Sequence, residues 1–275
     1  NHSNLSPIFP YHWTTSRRDR HVPESDRTAG SGPPEREGRE MTRRRVLLKL
    51  SGESMCSPGG SGIDSGRAAE LAGRLRDGFD PERIELALIL GGGNILRGAR
   101  ISGDVIDRIT ADQMGMLATV MNAMALRAAL DSAGVPAEVL SAVPVGEIAE
   151  TFTPRRAASL LGGGRIVILA GGTGHPYFTT DTTASLRALE IGADVLYKAT
   201  KVDGVYSDDP VENPDAELFS RLSYAEVLER RLRVMDATAI TMCMDNGLPI
   251  RVFNMQEPGN IERVLRGEEI GTVVE

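Results

Sequence analysis

The chain has 275 residues, a 41% hydrophobic share and a formal net charge of −7, enough to bury one large α/β core, and too acidic for a nucleic-acid surface held by bulk charge. Cys56 and Cys243 are its only cysteines and fit no C-x-x-C spacing, which excludes a disulfide framework and a zinc site and suits a reducing, cytoplasmic compartment. No run approaches the roughly 18 apolar residues of a spanning helix, and the N-terminus lacks the apolar segment of a secretory signal, so no membrane partner is expected.

Residues 1–42 are rich in Ser, Pro, Gly and mixed charge with almost no aliphatic periodicity, and read as a disordered extension. They hold Trp13 and His2, His12 and His21, none spaced like metal ligands. Because Met41 directly precedes the first strand pattern, residues 1–40 are expected to be a dispensable extension or to lie upstream of the true start, and the folded part is expected over 43–275. From residue 45 short apolar runs alternate with helical stretches, the signature of a parallel sheet covered by helices. Strands are expected at 46–50, 86–90, 138–141, 166–170, 195–198 and 250–254. Helices are expected at 66–76, 111–133, 154–161, 182–191, 224–231, 237–245 and 260–266, most opening at a Ser, Thr, Asp, Pro or Asn and stopping near a Gly. Met114, Met116, Met121 and Met124 recur at helical spacing and read as core.

Three strand exits run into glycine loops. The first gives Lys49-Leu50-Ser51-Gly52, the second Gly91-Gly92-Gly93-Asn94 through Arg97-Gly98, and the fourth Gly171-Gly172-Thr173-Gly174. Ligands of parallel sheets gather at the carboxyl ends of strands, and glycines there let backbone N–H groups close on phosphate oxygens. A single such loop is usually only a tight turn; three in one chain point to phosphate. No lysine follows a glycine, so the P-loop pattern G-x-x-x-x-G-K-S/T is absent, and Leu96 breaks the dinucleotide-binding spacing. Of 31 basic residues only Lys49, Lys198 and Lys201 are lysine. In a chain that otherwise uses Arg, these three suit a task for a compact ammonium, such as contact with phosphate oxygens.

These segments resemble the amino acid kinase family. Asp112-Gln113-Met114-Gly115-Met116-Leu117-Ala118-Thr119, Gly172-Thr173-Gly174 with Phe178-Thr179-Thr180-Asp181, and Lys198-Ala199-Thr200-Lys201-Val202-Asp203-Gly204-Val205-Tyr206 narrow the resemblance to the bacterial UMP kinases. The resemblance implies a three-layer αβα sandwich around a mainly parallel sheet. It also implies an ATP-dependent phosphotransferase that makes UDP from UMP and Mg2+-ATP in pyrimidine nucleotide biosynthesis, assembles as a homohexamer, and answers to GTP and UTP as effectors. Carried over by position, Lys49, Leu50, Ser51, Gly52, Gly93 and Arg97 hold ATP phosphates, and Thr200, Tyr206 and Asp209 the adenosine end. Gly92, Asp112, Thr173, Gly174, His175, Pro176, Tyr177, Phe178, Thr179 and Thr180 line the UMP site, with Asp112 accepting from ribose hydroxyls. Lys49, Arg97, Asp181 and Lys198 are the catalytic set, with Asp181 orienting the ammonium groups; it is also expected as a helix N-cap, a compatible role because a carboxylate has several acceptor sites. Either Lys198 or Lys201 supports the ATP side.

His175, where many relatives have Asn, reads as a loop residue rather than a base. A phosphate monoester with a second pKa of about 6 is already anionic at neutral pH, so what it needs is charge neutralisation. Mg2+ then comes with the nucleotide, and no protein metal ligand is expected. Asp203, Asp208 and Asp209 read as turn residues, and Asp236 as a helix cap. The segment Ser57 to Gly62 falls where the family places its GTP-responsive loop. Two other functions share the phosphate loops: a kinase acting on a carboxylate or carbamate, and a nucleotide sensor without turnover.

Overall fold

The computed structural model describes residues 43–96, 103 and 105–275. The expected extension over 1–42 and the phosphate-site residue Arg97 lie outside the described residues. In chain order come β1 (Arg44–Leu50), α1 (Ser65–Gly78), β2 (Ile84–Leu90), α2 (Arg108–Ser132), β3 (Ala137–Ser141), β4 (Glu150–Thr151), α3 (Pro154–Gly162), β5 (Ile166–Ala170) and α4 (Thr180–Glu190). There follow β6 (Val195–Thr200), β7 (Val205–Tyr206), β8 (Leu218–Phe219), β9 (Arg221–Leu222), α5 (Tyr224–Glu229), α6 (Ala237–Asn246), β10 (Ile250–Asn254), α7 (Asn260–Leu265) and β11 (Thr272–Val274).

The main sheet runs β4-β3-β5-β2-β1-β6-β10-β11-β9. Every neighbouring pair in it is parallel except β10 and β11. Strand alternation explains the layers: Val46, Leu48 and Leu50 of β1 pack with residues of α1, α2 and α7, whereas Leu47 packs with residues of α3, α4, α5 and α6. Both faces being covered, β2 is buried along its whole length, which is why its sequence is a nearly unbroken aliphatic run. The expected αβα sandwich is the observed fold.

Some expectations need correction. The second helix opens at Arg108, not 111, because the Asp107 carboxylate accepts from the Thr110 amide and caps it. Strand β6 continues two residues past 198, still paired with β10 as far as Thr200. The short strands β4, β7, β8, β9 and β11 had no periodic signal, since two or three residues carry no period. The methionines are not uniformly core: Met116 is buried, but Met114, Leu117, Met121 and Met124 are 37%, 51%, 49% and 40% exposed. Smaller residues such as Ala111, Ala118, Thr119, Val120 and Ala123 take up much of the inner face of α2. The larger four, spaced three, four and three residues apart, form a stripe on its outer side.

Candidate active site

Strand pairing sets the lysines side by side. Lys49 on β1 lies opposite Lys198 on the parallel neighbour β6, so both side chains leave the same face of the sheet. That face meets the N-terminus of α4, and Asp181 in its first turn receives both: Lys49 Nζ lies 2.9 Å from Oδ1 and Lys198 Nζ 2.7 Å from Oδ2. Lys198 also donates to the Val234 carbonyl. Asp181 is not the helix cap. Thr179 fills that role, its hydroxyl accepting from the amides of Asp181 and Thr182 at 3.1 Å each, which leaves the carboxylate free to hold the two ammonium groups.

Burial alone would push the Asp181 carboxyl up, but the Lys49 and Lys198 charges outweigh it and hold the group below its ordinary 3.8. Burial pulls the Lys198 ammonium below its ordinary value, against the attraction of Asp181 and with the repulsion of Lys49. Two cations share the one Asp181 carboxylate, and Asp236 adds a second negative charge on the Lys198 side. Lys49 meets a single oxygen of Asp181 as an ion pair, so its ammonium keeps N–H groups for an incoming anion.

Asp236 ties this corner together. It caps α6 by accepting from the Ala239 amide at 3.0 Å, as expected, and it also accepts from the hydroxyls of Thr179 and Thr182. The helices that carry Asp181 and Asp236 thus share one hydrogen-bonded start.

The glycine loops meet beside the lysines. Gly91 N–H donates to Leu50 C=O at 3.1 Å, and a Cβ on Gly52 would collide with the Gly91 carbonyl and with Asn94 Oδ1; only glycine permits that approach. Leu50 is fully buried and offers the cleft only its backbone. The Ser51 hydroxyl accepts from Glu53 N–H at the start of a short 3-10 turn, Gly52–Met55.

At the exits of β2 and β5 lies a cavity of about 690 Å3 whose lining includes Gly92, Gly93, Asp112, Thr173, His175, Phe178, Thr179 and Thr180. Sequence reasoning assigned no site role to Met116, Thr119 and Thr183, which are in that lining; Thr119, whose hydroxyl accepts from Gly171 N–H at 2.8 Å, was signalled only by its place in the Asp112–Thr119 motif. Gly174, Pro176 and Tyr177, assigned with the same loop, are not among the lining residues. Tyr177 instead shapes the loop: it sits at φ 74, a conformation rare for a side chain of its size. Its N–H donates to Asp112 Oδ2 at 2.8 Å. The single Arg108 Nε–H is shared between both Asp112 oxygens, at 2.9 and 2.8 Å, and the Arg108 guanidinium lies 5.6 Å from the Tyr177 ring. At the loop's other end, Arg187 donates to the Gly172 carbonyl at 3.2 Å and stacks on Phe152. Arg108 and Arg187 were also missed, because arginines at helical spacing look like solvated surface.

Past the end of β6, Val202, residues 204–210 and Arg230 to Arg233 enclose about 350 Å3, with Tyr206 and Asp209 in the wall. Thr200 is not in that wall, and its hydroxyl donates to the Val202 carbonyl at 2.7 Å. Asp208 and Asp209 bond mainly within their own turn, as expected, and Asp203 accepts from Asn254. Lys201 is separated from the other lysines: it is exposed, pairs with Glu53 at 2.6 Å, and borders a further cavity of about 560 Å3 beside Ser57 to Ser61. Exposed His175 forms a local turn with Thr173. Among the described residues no group of three or more His, Cys, Asp or Glu could hold a metal ion.

Residues 44–254 match the model of the amino acid kinase family. The chain is 53% identical over 233 residues to the uridylate kinase of Deinococcus radiodurans, covering 84% of this chain and 95% of that one. It is 49% identical to the uridylate kinase of Methylococcus capsulatus, with 86% and 98% covered. The fold matches the crystal structure of UMP kinase from Bacillus anthracis with a TM-score of 0.80, at 37% identity over 84% of this chain and 96% of that one.

Proposed function

Since this chain belongs to the amino acid kinase family, and within it to the uridylate kinases, we propose how its cleft carries out their reaction, the transfer of the ATP γ-phosphoryl group to UMP. The observation that carries the proposal is the Lys49–Asp181–Lys198 cluster. Along the sheet edge the order is β5, β2, β1, β6. The 690 Å3 cavity opens at β5 and β2, the lysines stand at β1 and β6, and the 350 Å3 cavity follows β6. UMP occupies the first cavity and adenosine the second, so the phosphate chains meet over the lysines.

An oxygen of the UMP phosphate attacks the γ-phosphorus while the bond to the β–γ bridging oxygen breaks, giving UDP and ADP. Both sides carry the same charge and no proton moves, because the monoester is already largely the dianion. Lys49 then holds the transferring group, Lys198 the donor side, and Asp181 keeps both ammonium groups aimed. Gly92 and Gly93 supply N–H groups that donate to nothing else among the described residues. Asp112 and Thr173 to Thr180 shape the UMP site, and Arg97 assists at the phosphates. The lysines of the cluster repel a cation, so a Mg2+ arriving with ATP would be held by nucleotide oxygens and water rather than by this chain, and would help neutralise phosphate charge.

The exposed Met114–Leu117–Met121–Met124 stripe supports self-association through α2, and the family resemblance supports six copies. GTP and UTP as effectors and a cytoplasmic location belong to the same reading. No helix among the described residues is long and apolar enough to cross a membrane. The test is a coupled ADP-release assay offering UMP, CMP, glutamate derivatives, aspartate and carbamate, with and without GTP. Turnover is expected with UMP ahead of all others; preference for a carboxylate or carbamate, or UMP binding without ADP release, would overturn the reading.

A further inference from the structure

Asn94 and Asn122 form a buried pair, 4% and 0% exposed. Their side-chain amides bond reciprocally, Asn94 Nδ2 to Asn122 Oδ1 at 3.0 Å and Asn122 Nδ2 to Asn94 Oδ1 at 2.7 Å. The second N–H of Asn122 donates to the Gly91 carbonyl at 2.7 Å, and that of Asn94 to the Gly62 carbonyl at 2.8 Å. Backbone closes the same junction, Gly62 N–H donating to Asn94 C=O at 2.8 Å. All four amide N–H donors are used, and each carbonyl oxygen accepts one bond, a pattern a carboxylate cannot reproduce because it has no donor.

The arrangement brackets one short stretch. Gly91 and Asn94 flank Gly92 and Gly93, and a single side chain of α2 grips both ends. Two consecutive glycines have the widest backbone freedom of any dipeptide, so something must fix where their N–H groups point. We infer that Asn122 is a positioning residue: with Asn94 it locks the Gly91–Asn94 loop to α2, so that the Gly92 and Gly93 N–H groups face the transferring phosphoryl group. Asn122 is itself too deep to touch substrate. This inference rests on the phosphate-loop reading given above. Through Gly62 the same lock joins the loop to the segment bordering the 560 Å3 cavity.

The test compares the parent with Asn122→Ala and the milder Asn122→Thr, measuring kcat and both KM values per folded molecule, with folded fraction taken from circular dichroism melting. A misdirected loop is expected to lower kcat by about tenfold to a hundredfold, while the KM for UMP stays within about threefold because its ribose and base contacts lie elsewhere. A merely structural role would lower the melting temperature and leave kcat per folded molecule unchanged. Unchanged kcat in folded variants overturns the inference, and so does loss of folding in both, since the pair would then hold the fold rather than the loop. A parent without UMP-dependent ADP release would instead sink the reading of the cleft.

Discussion

Lys49 and Asp181 carry the sharpest consequences at the scale of single residues. Lys49→Ala removes the cation assigned to the transferring group and is expected to cost at least 10²–10³-fold in kcat, as loss of a pre-organised charge does, while circular dichroism shows an intact fold. Near-normal turnover would contradict the assignment. Asp181→Asn strands two ammonium groups in a mostly buried corner, a loss on the order of 3–5 kcal/mol. Its pH dependence has a definite sign. The folded carboxyl lies below 3.8, so its contribution is complete above that value and disappears as pH falls through the lower folded pKa. Lys198 acts oppositely: burial lowers its ammonium from 10.5, so its charge costs stability at neutral pH, and the cost lifts as pH rises toward 10.5. Urea unfolding should therefore show a gap between parent and Asp181→Asn that is steady at neutral pH and closes below about pH 3.8; a gap that persists there would refute the pairing as its cause.

At the scale of elements, the start of α4 is the piece that makes the cluster possible, and Asp236 holds it. Asp236→Ala loses the cap of α6 and the bonds to Thr179 and Thr182. The expected cost is about 1–3 kcal/mol in urea unfolding, with a lower kcat as Asp181 loosens; a variant as stable as the parent would argue that the shared helix start is not structural. The strands and helices were largely legible because aliphatic runs and helical spacing report burial directly. What stayed hidden was lateral. Which cap serves α4 depended on the backbone direction at Thr179, and three candidates, Thr179, Thr180 and Asp181, stand in a row. What separates Lys198 from Lys201 is where β6 ends: Lys198 lies within the strand, in register with Lys49, whereas Lys201 lies just past Thr200, the last residue of β6, and pairs with Glu53. Asn122 had a detectable signal, a polar residue in phase with the inner positions Thr119, Ala123 and Leu126.

At the scale of the whole molecule, the outer stripe of α2 sets a further expectation. Met121→Glu places a charge in the middle of an exposed apolar face and should lower the assembly mass measured by light scattering, whereas an unchanged mass would place the contact elsewhere. The sandwich itself was readable from alternating strand and helix patterns, but the outward turn of three methionines was not, because helical spacing alone does not say which side faces the sheet. The catalytic account depends on one arrangement, two phosphate chains drawn together over Lys49 and Lys198. A crystal structure with UMP and a non-hydrolysable ATP analogue tests it most directly. The account predicts the Lys49 ammonium within hydrogen-bonding distance of a γ-phosphate oxygen, with the UMP phosphate in line behind it; a Lys49 side chain turned into solvent, away from every nucleotide oxygen, would contradict it.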